Sequence, residues 1–168
     1  PDPIKLMKEY GADGVRLGML LCTSAGNDIL FDESQVEQGR NFSNKIWNAY
    51  RLVKGWKVSE TKSQSDVNLL AVSWFSAKLN KAIESINEDF TKFRISDAVM
   101  TIYKLFWDDF CSWYLEIIKP PFADGAQESI DKATFDATIS YFDSLLKIQY
   151  ASACPLIFLS RVPYARYP

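Results

Sequence analysis

Residues Arg40-Asn-Phe-Ser-Asn-Lys-Ile-Trp-Asn-Ala-Tyr-Arg-Leu52 place two chemically distinct faces on one helix. At about 100° per residue, Phe42, Ile46, Ala49, Val53 and Trp56 gather on one side and predict a surface turned to a core. Arg40, Asn44, Asn48 and Arg51 gather on roughly the opposite side, forked cations and amides in a single row. Asparagine competes with the helix for backbone hydrogen bonds, so Asn41, Asn44 and Asn48 each cost roughly a few tenths of a kcal/mol. A face that only meets water is built more economically from Glu, Lys or Ala. Amides and guanidinium groups also donate and accept at base edges and phosphates. From the residues alone, an ordinary wet helix face and a nucleic-acid-directed face both remain open.

Working outward, the chain reads as almost entirely helical. Pro3 to Tyr10 predicts a short helix stopped near Gly11, and Asp13 to about Thr23 another. Gly26-Asn-Asp predicts a turn, and Ile29-Leu-Phe31 is the one strand candidate. Asp32 with Gln35 reads as a capping box opening the first long helix, expected to run to about Trp56. A polar connection, Ser59 to Asp66, precedes a second helix marked by Leu69, Val72, Ser76, Leu79, Ile83, Ile86 and Phe90. Ile95, Ala98, Ile102, Leu105, Asp109, Trp113 and Ile117 mark a third, ended by Pro120-Pro121. Ala137, Tyr141, Leu145 and Ile148 mark a fourth, from Ile130 to about Lys147. Four amphipathic helices joined by short loops predict an all-α, up-and-down bundle. Its expected core contains Phe42, Ile46, Val53, Leu79, Ile83, Ile86, Ile102, Leu105 and Trp113. Trp47, Trp74 and Trp107 are expected chiefly as core residues as well, although aromatic faces can also stack on bases.

Composition narrows the chemistry. The 168 residues contain no histidine, so neither a Ser-His nor a Cys-His nucleophilic pair exists in this chain. Cys22, Cys111 and Cys154 lack paired metal spacing and read as reduced thiols. No glycine-rich phosphate loop occurs, and no apolar run approaches a membrane span. The net charge of −2 argues against an indiscriminate polyanion binder. Arg40, Lys45, Arg51, Lys54 and Lys57 nevertheless fall in a stretch with no acid, a local basic surface on an acidic body. Glu116 has no partner acid or nucleophile and is expected to pair with a neighbouring cation.

Four ordered segments carry a resemblance: Tyr10-Gly-Ala-Asp-Gly-Val-Arg-Leu17, Gly26-Asn-Asp-Ile-Leu-Phe-Asp32, Arg40 to Leu52, and Phe106-Trp-Asp-Asp-Phe-Cys-Ser-Trp-Tyr-Leu-Glu116. Over residues 1–147 the chain resembles the anticodon-binding region of the valyl-tRNA synthetases, class I aminoacyl-tRNA synthetases. The Tyr-Gly-Ala-Asp element is shared with the isoleucine, leucine and methionine enzymes. The Asn-Phe-x-Asn-Lys-x-Trp-Asn-Ala-x-Arg pattern with the Trp-Tyr-Leu-Glu helix separates valine from isoleucine. The resemblance implies a small α/β-like connecting segment at residues 1–32, the helical anticodon-binding bundle at 33–147, and an atypical tail at 148–168.

The same resemblance implies that Lys45 and Arg51 donate to the central and third anticodon bases, with Leu52 as an apolar platform. Some relatives carry an Arg near the position of Ser34, which this chain lacks. Arg40, Asn44 and Asn48 join the candidate tRNA-binding set from the helix-face argument instead. The class I His-x-Gly-His and Lys-Met-Ser-Lys-Ser elements are absent, so no catalytic or metal residue is expected here. ATP would be handled, without any cofactor in this region, by a parent ligase's catalytic domain. The expected partners are tRNA-Val and the parent's catalytic and editing domains, in the cytoplasm and away from membranes. Relatives continue after the fourth helix into a His-Pro-Phe-Met-Pro-Phe segment, which residues 148–168 do not resemble. Two other readings stay open: a helical protein–protein interaction bundle that binds no RNA, and the equivalent domain of an isoleucyl or leucyl enzyme.

Overall fold

The computed structural model describes residues 2–23, 30–123 and 125–151. The Asp2 carboxylate accepts the Ile4 N–H at 2.9 Å, and Pro3 sits where a helix needs no donor. Helix α1 (Pro3–Leu21) breaks at Gly11, whose φ of 78° suits glycine, so the two expected helices are joined through one residue. The turn expected at Gly26–Asp28 lies outside the described residues, as does Ile29; Leu30 and Phe31 belong to no strand.

Helix α2 (Glu33–Lys54) opens on Asp32, whose carboxylate accepts the Ser34 N–H at 2.9 Å and the Ser34 hydroxyl at 2.6 Å. The carboxylate thus takes the Ser34 N–H and hydroxyl in place of the Gln35 N–H that a capping box would use, and the Gln35 N–H donates to the Asp32 carbonyl at 3.1 Å. α1 crosses α2 at backbone contact distance. A Cβ on Gly18 would lie 2.6 Å from Val36 Cα, and one on Gly39 would lie 2.5 Å from the Gly14 carbonyl.

Helix α3 (Asp66–Thr91) is capped by the Ser65 hydroxyl, which accepts the Asn68 N–H at 3.1 Å. A buried Asp89 pairs with Arg94 at 2.7 Å across the turn that follows. α4 (Ile95–Lys104), a π-helical segment (Leu105–Tyr114) and α5 (Leu115–Ile118) form one rod. It stops before Pro120-Pro121, with Lys119 pushed to ψ 124° by the proline that follows. α6 (Lys132–Ala151) starts at Asp131, which accepts the Thr134 N–H at 2.8 Å and the Asn68 amide at 2.9 Å. Burial works against that carboxyl's charge, but these donors outweigh it and hold the pKa below the ordinary value. Two-residue strands complete the connections: β1 (Val58–Ser59) pairs in parallel with β4 (Ile130–Asp131), and β2 (Phe122–Ala123) pairs antiparallel with β3 (Ala126–Gln127).

Contacts between the long elements give their directions. Phe42 meets Tyr103 and Phe106, and Lys45 meets Trp107 further on, so α2 runs with the rod. Ile86 packs with Ala98 and Ile102 while Phe75 meets Phe110 and Tyr114, so α3 runs against it. Tyr114 meets Thr138 and Ile148 reaches the Ile86–Ala98–Ile102 cluster, so α6 also runs against the rod. The expected up-and-down bundle is the observed one.

The predicted inner face of α2 is buried throughout at Phe42, Ile46, Ala49 and Val53, and Trp56, expected as the last residue of the helix but lying two residues beyond its end at Lys54, is buried as well. Leu79, Ile86, Ile102 and Leu105 are buried too, and Ile83 packs partly buried against the core. Trp113 departs from expectation: 62% of it is exposed, and Phe106, Phe110 and Tyr114 fill the core instead. The cause is the π segment. Its hydrogen bonds span five residues, as in Leu115 N–H to the Phe110 carbonyl, so a steady 3.6-residue spacing loses phase across it. Trp74 and Trp107 are only half-buried, as is Trp47. On α3 Phe75 joins Leu79 and Ile86 as a buried residue, while Leu69 is exposed. On α6 the expected Leu145 is buried together with Phe142, with Thr134 and Thr138 on the same inner face. Glu116 accepts from Lys119 at 3.3 Å, the ion pair its position suggested.

This phase makes a direct prediction. Phe110→Ala empties a fully buried site and should cost about 3–5 kcal/mol in urea unfolding. Trp113→Ala, on the outer side of the same segment, should stay within about 0.5 kcal/mol of the parent. The reverse order would place the π segment in the wrong phase.

Candidate nucleic-acid interface

The polar row on α2 follows from the packing of its other side. Burial of Phe42, Ile46, Ala49 and Val53 obliges residues half a turn away to face outward, and Arg40, Asn44, Asn48 and Arg51 are all exposed. None of the four has a side-chain hydrogen bond or ion pair among the described residues. Elsewhere Lys62, Lys78, Lys92, Arg94, Lys119, Lys132 and Lys147 are each held by a carboxylate. Two guanidinium groups of the row are left to the solvent with their donors unspent. Arg40 marks its start beside α1, since a Cβ on Gly14 would lie 3.1 Å from Arg40 Cβ.

The two flanks of the row differ. On one side Trp47 stacks on Tyr50 at 6.0 Å between ring centroids, and Tyr50 meets Phe142 of α6. On the other side Lys45 is half-buried and turns to the π segment, its ammonium 5.2 Å from the centre of the Trp107 ring. Trp107 stacks on Tyr103 at 5.4 Å and 13°, and Tyr103 on the buried Phe42 at 4.9 Å. Leu52, on the Lys45 flank, is 37% exposed and offers an apolar surface there. The structure therefore brings Arg40, Asn44, Asn48 and Arg51 together as one outward row, with Lys45 and Leu52 along its edge. What sequence reading missed is the support beneath Lys45. Trp107 and Tyr103 lie one turn apart on another helix, and no local pattern links them to α2.

Cys111, 6% exposed, lies within reach of the Lys45 charge. Burial pushes its thiol up to about 12, against a smaller downward pull from the Lys45 ammonium. It is not poised as a nucleophile. Among the described residues no cluster of His, Cys, Asp or Glu is arranged to hold a metal ion, and no helix is long and apolar enough to cross a membrane.

Comparison with known proteins adds what geometry does not. Residues 73–150 match the family described as the anticodon-binding domain of tRNA ligase. The chain is 55% identical over 148 residues to the valine–tRNA ligase of Parabacteroides distasonis, a stretch covering 88% of this chain and 16% of that protein. It is 53% identical to the valine–tRNA ligase of Porphyromonas gingivalis with the same coverage. Against that of Clostridium tetani it is 35% identical over 151 residues, 88% of this chain and 17% of the relative. The chain thus spans about one sixth of the length of the curated relatives it matches.

Cys111 sets an alkaline limit. Its folded pKa is raised above the ordinary thiol value of 9.0, so the stabilisation is complete below that value and is lost as pH rises toward about 12. Unfolding free energy should fall above pH 9, by at most about 1.4 kcal/mol per pH unit from this one group. Urea titrations at pH 8, 9 and 10 should show a shallower fall in Cys111→Ala than in the parent.

Proposed function

On the premise that this chain belongs with the anticodon-binding regions of the valine–tRNA ligases, we propose that its α2 row reads the anticodon of tRNA-Val. The parent activity would be attachment of valine to that tRNA at the expense of ATP. Chemistry would reside in the parent's catalytic domain, with this region supplying recognition and no cofactor. The observation that supports this reading best is the row itself: Arg40, Asn44, Asn48 and Arg51 are exposed and unpartnered among the described residues. Arg51 would direct its planar fork at a base edge, where a bidentate contact discriminates by about 1–3 kcal/mol in DNA readout. Asn44 and Asn48 would supply matched donors and acceptors beside it. Lys45 would contribute positive charge and Leu52 an apolar platform. A basic row on a chain of net charge −2 favours a selected polyanion contact over general adhesion to nucleic acid. Partners in the cell would be tRNA-Val and the ligase's own catalytic and editing domains, in the cytoplasm.

The test is a filter-binding titration of the complete ligase carrying this sequence, at two salt concentrations, with cognate and anticodon-swapped tRNA. Arg51→Ala should melt like the parent, weaken cognate binding roughly five- to hundredfold and narrow the gap to tRNA with an altered central or third base. Lys54→Ala should weaken cognate and altered tRNA alike and flatten the salt dependence. Unchanged discrimination in Arg51→Ala would return the row to an ordinary solvated face.

A further inference from the structure

The Lys45 ammonium sits at the outer end of a continuous stack. Phe42, 1% exposed, holds Tyr103 at 4.9 Å; Tyr103 holds Trp107 at 5.4 Å and nearly coplanar; and the Trp107 ring carries the ammonium at 5.2 Å. Each ring is fixed by the one beneath it, and the lowest is locked in the core. Burial raises the Tyr103 hydroxyl's pKa despite a hydrogen bond with Gln38, in keeping with a ring set into the packing. Lysine has four rotatable side-chain bonds and would otherwise sample many positions at the edge of α2. Its ammonium has no carboxylate partner among the described residues, so the ring is what holds it.

We propose that Trp107 is a positioning residue for RNA recognition: its ring holds the Lys45 ammonium beside the Arg51 row, so that the cation meets the tRNA already placed. This rests on the functional reading above, in which Lys45 donates to the anticodon. The ring face acts through its electron-rich surface, so its effect depends on the cation being there. With one face against Tyr103 and the ammonium on the ring, Trp107 supports a contact without making one. Pre-placing a flexible donor spares ordering entropy when RNA binds, and so strengthens binding without adding a contact.

A double-mutant cycle on tRNA-Val binding by the complete ligase separates this from a structural role. Lys45→Ala should weaken binding. Trp107→Leu should weaken it by about three- to tenfold in the parent and hardly at all in the Lys45→Ala background. Trp107→Phe, which keeps a weaker ring face, should fall between the parent and Trp107→Leu. Thermal melts of each variant accompany the titrations, and Trp107→Phe carries the cycle if Trp107→Leu melts early. Equal loss from the Trp107 substitutions in both backgrounds would overturn the inference, since the ring would then act independently of the cation. So would an unaffected Trp107→Leu beside a weakened Lys45→Ala, with the Arg51 result intact. Silence of Lys45→Ala and Arg51→Ala together would overturn the functional reading, and this inference with it.

Discussion

The five-residue hydrogen-bond span between Leu105 and Tyr114 is the constraint on which the bundle turns. The Ser112 hydroxyl donates to the Trp107 carbonyl at 2.9 Å, itself five residues back. A π segment is less favourable than α-helix and persists where packing repays it. Here the repayment is aromatic. Phe110 meets Phe75 of α3 at 5.2 Å and Phe142 of α6 at 5.7 Å, while Phe106 meets Phe42 of α2 at 5.7 Å. One short stretch thereby touches α2, α3 and α6 together. Kept in α-helical phase, it would have turned Trp113 inward in place of Tyr114, whose hydroxyl hydrogen-bonds Thr138 in the core at 2.9 Å.

That phase reaches the candidate interface through the rod's other side. With Phe106 and Phe110 committed inward, Trp107 is left half-buried next to α2, where Lys45 finds it. Core and candidate interface are therefore two sides of the same helical register. The Phe42–Tyr103–Trp107–Lys45 stack joins them residue by residue, passing from a closed apolar site to an open cation over one continuous set of rings.

At the other end of α2, glycine does the positioning. Gly14, Gly18 and Gly39 let α1 lie against α2 with no side chain between the backbones. Glycine inside a helix costs about 0.5–1 kcal/mol relative to alanine. Alanine at Gly18 or Gly39 would instead drive a methyl group into backbone, where no side-chain rotation relieves it. The close crossing brings α1 beside Arg40, so the row begins at a rigid junction. The asparagines of the row weaken α2 intrinsically, and the Asp32 cap, this crossing and the buried Phe42–Val53 face offset that loss.

The two faces of α2, the helical character of the chain, its main breaks and the motifs in which it resembles the valine–tRNA ligases are legible in the sequence alone. These are local properties: a 3.6-residue period, a cap, a proline pair and a short ordered signature can each be read without knowing what packs against what. The sequence did not determine the phase of the rod after Leu105, because a period continued unchanged cannot register an i→i+5 step that only packing favours. Nor did it select Phe75 over Leu69. The opening turns of α3 are apolar on several sides, and only the rings of Phe110, Tyr114 and Tyr141 decide which one turns in. The outward row of Arg40, Asn44, Asn48 and Arg51 was legible as one helix face, but Lys45 owes its place to Trp107, far away in the chain. Tertiary structure decided that pairing, because an ammonium over a ring is a contact between helices and leaves no trace in the spacing of either one.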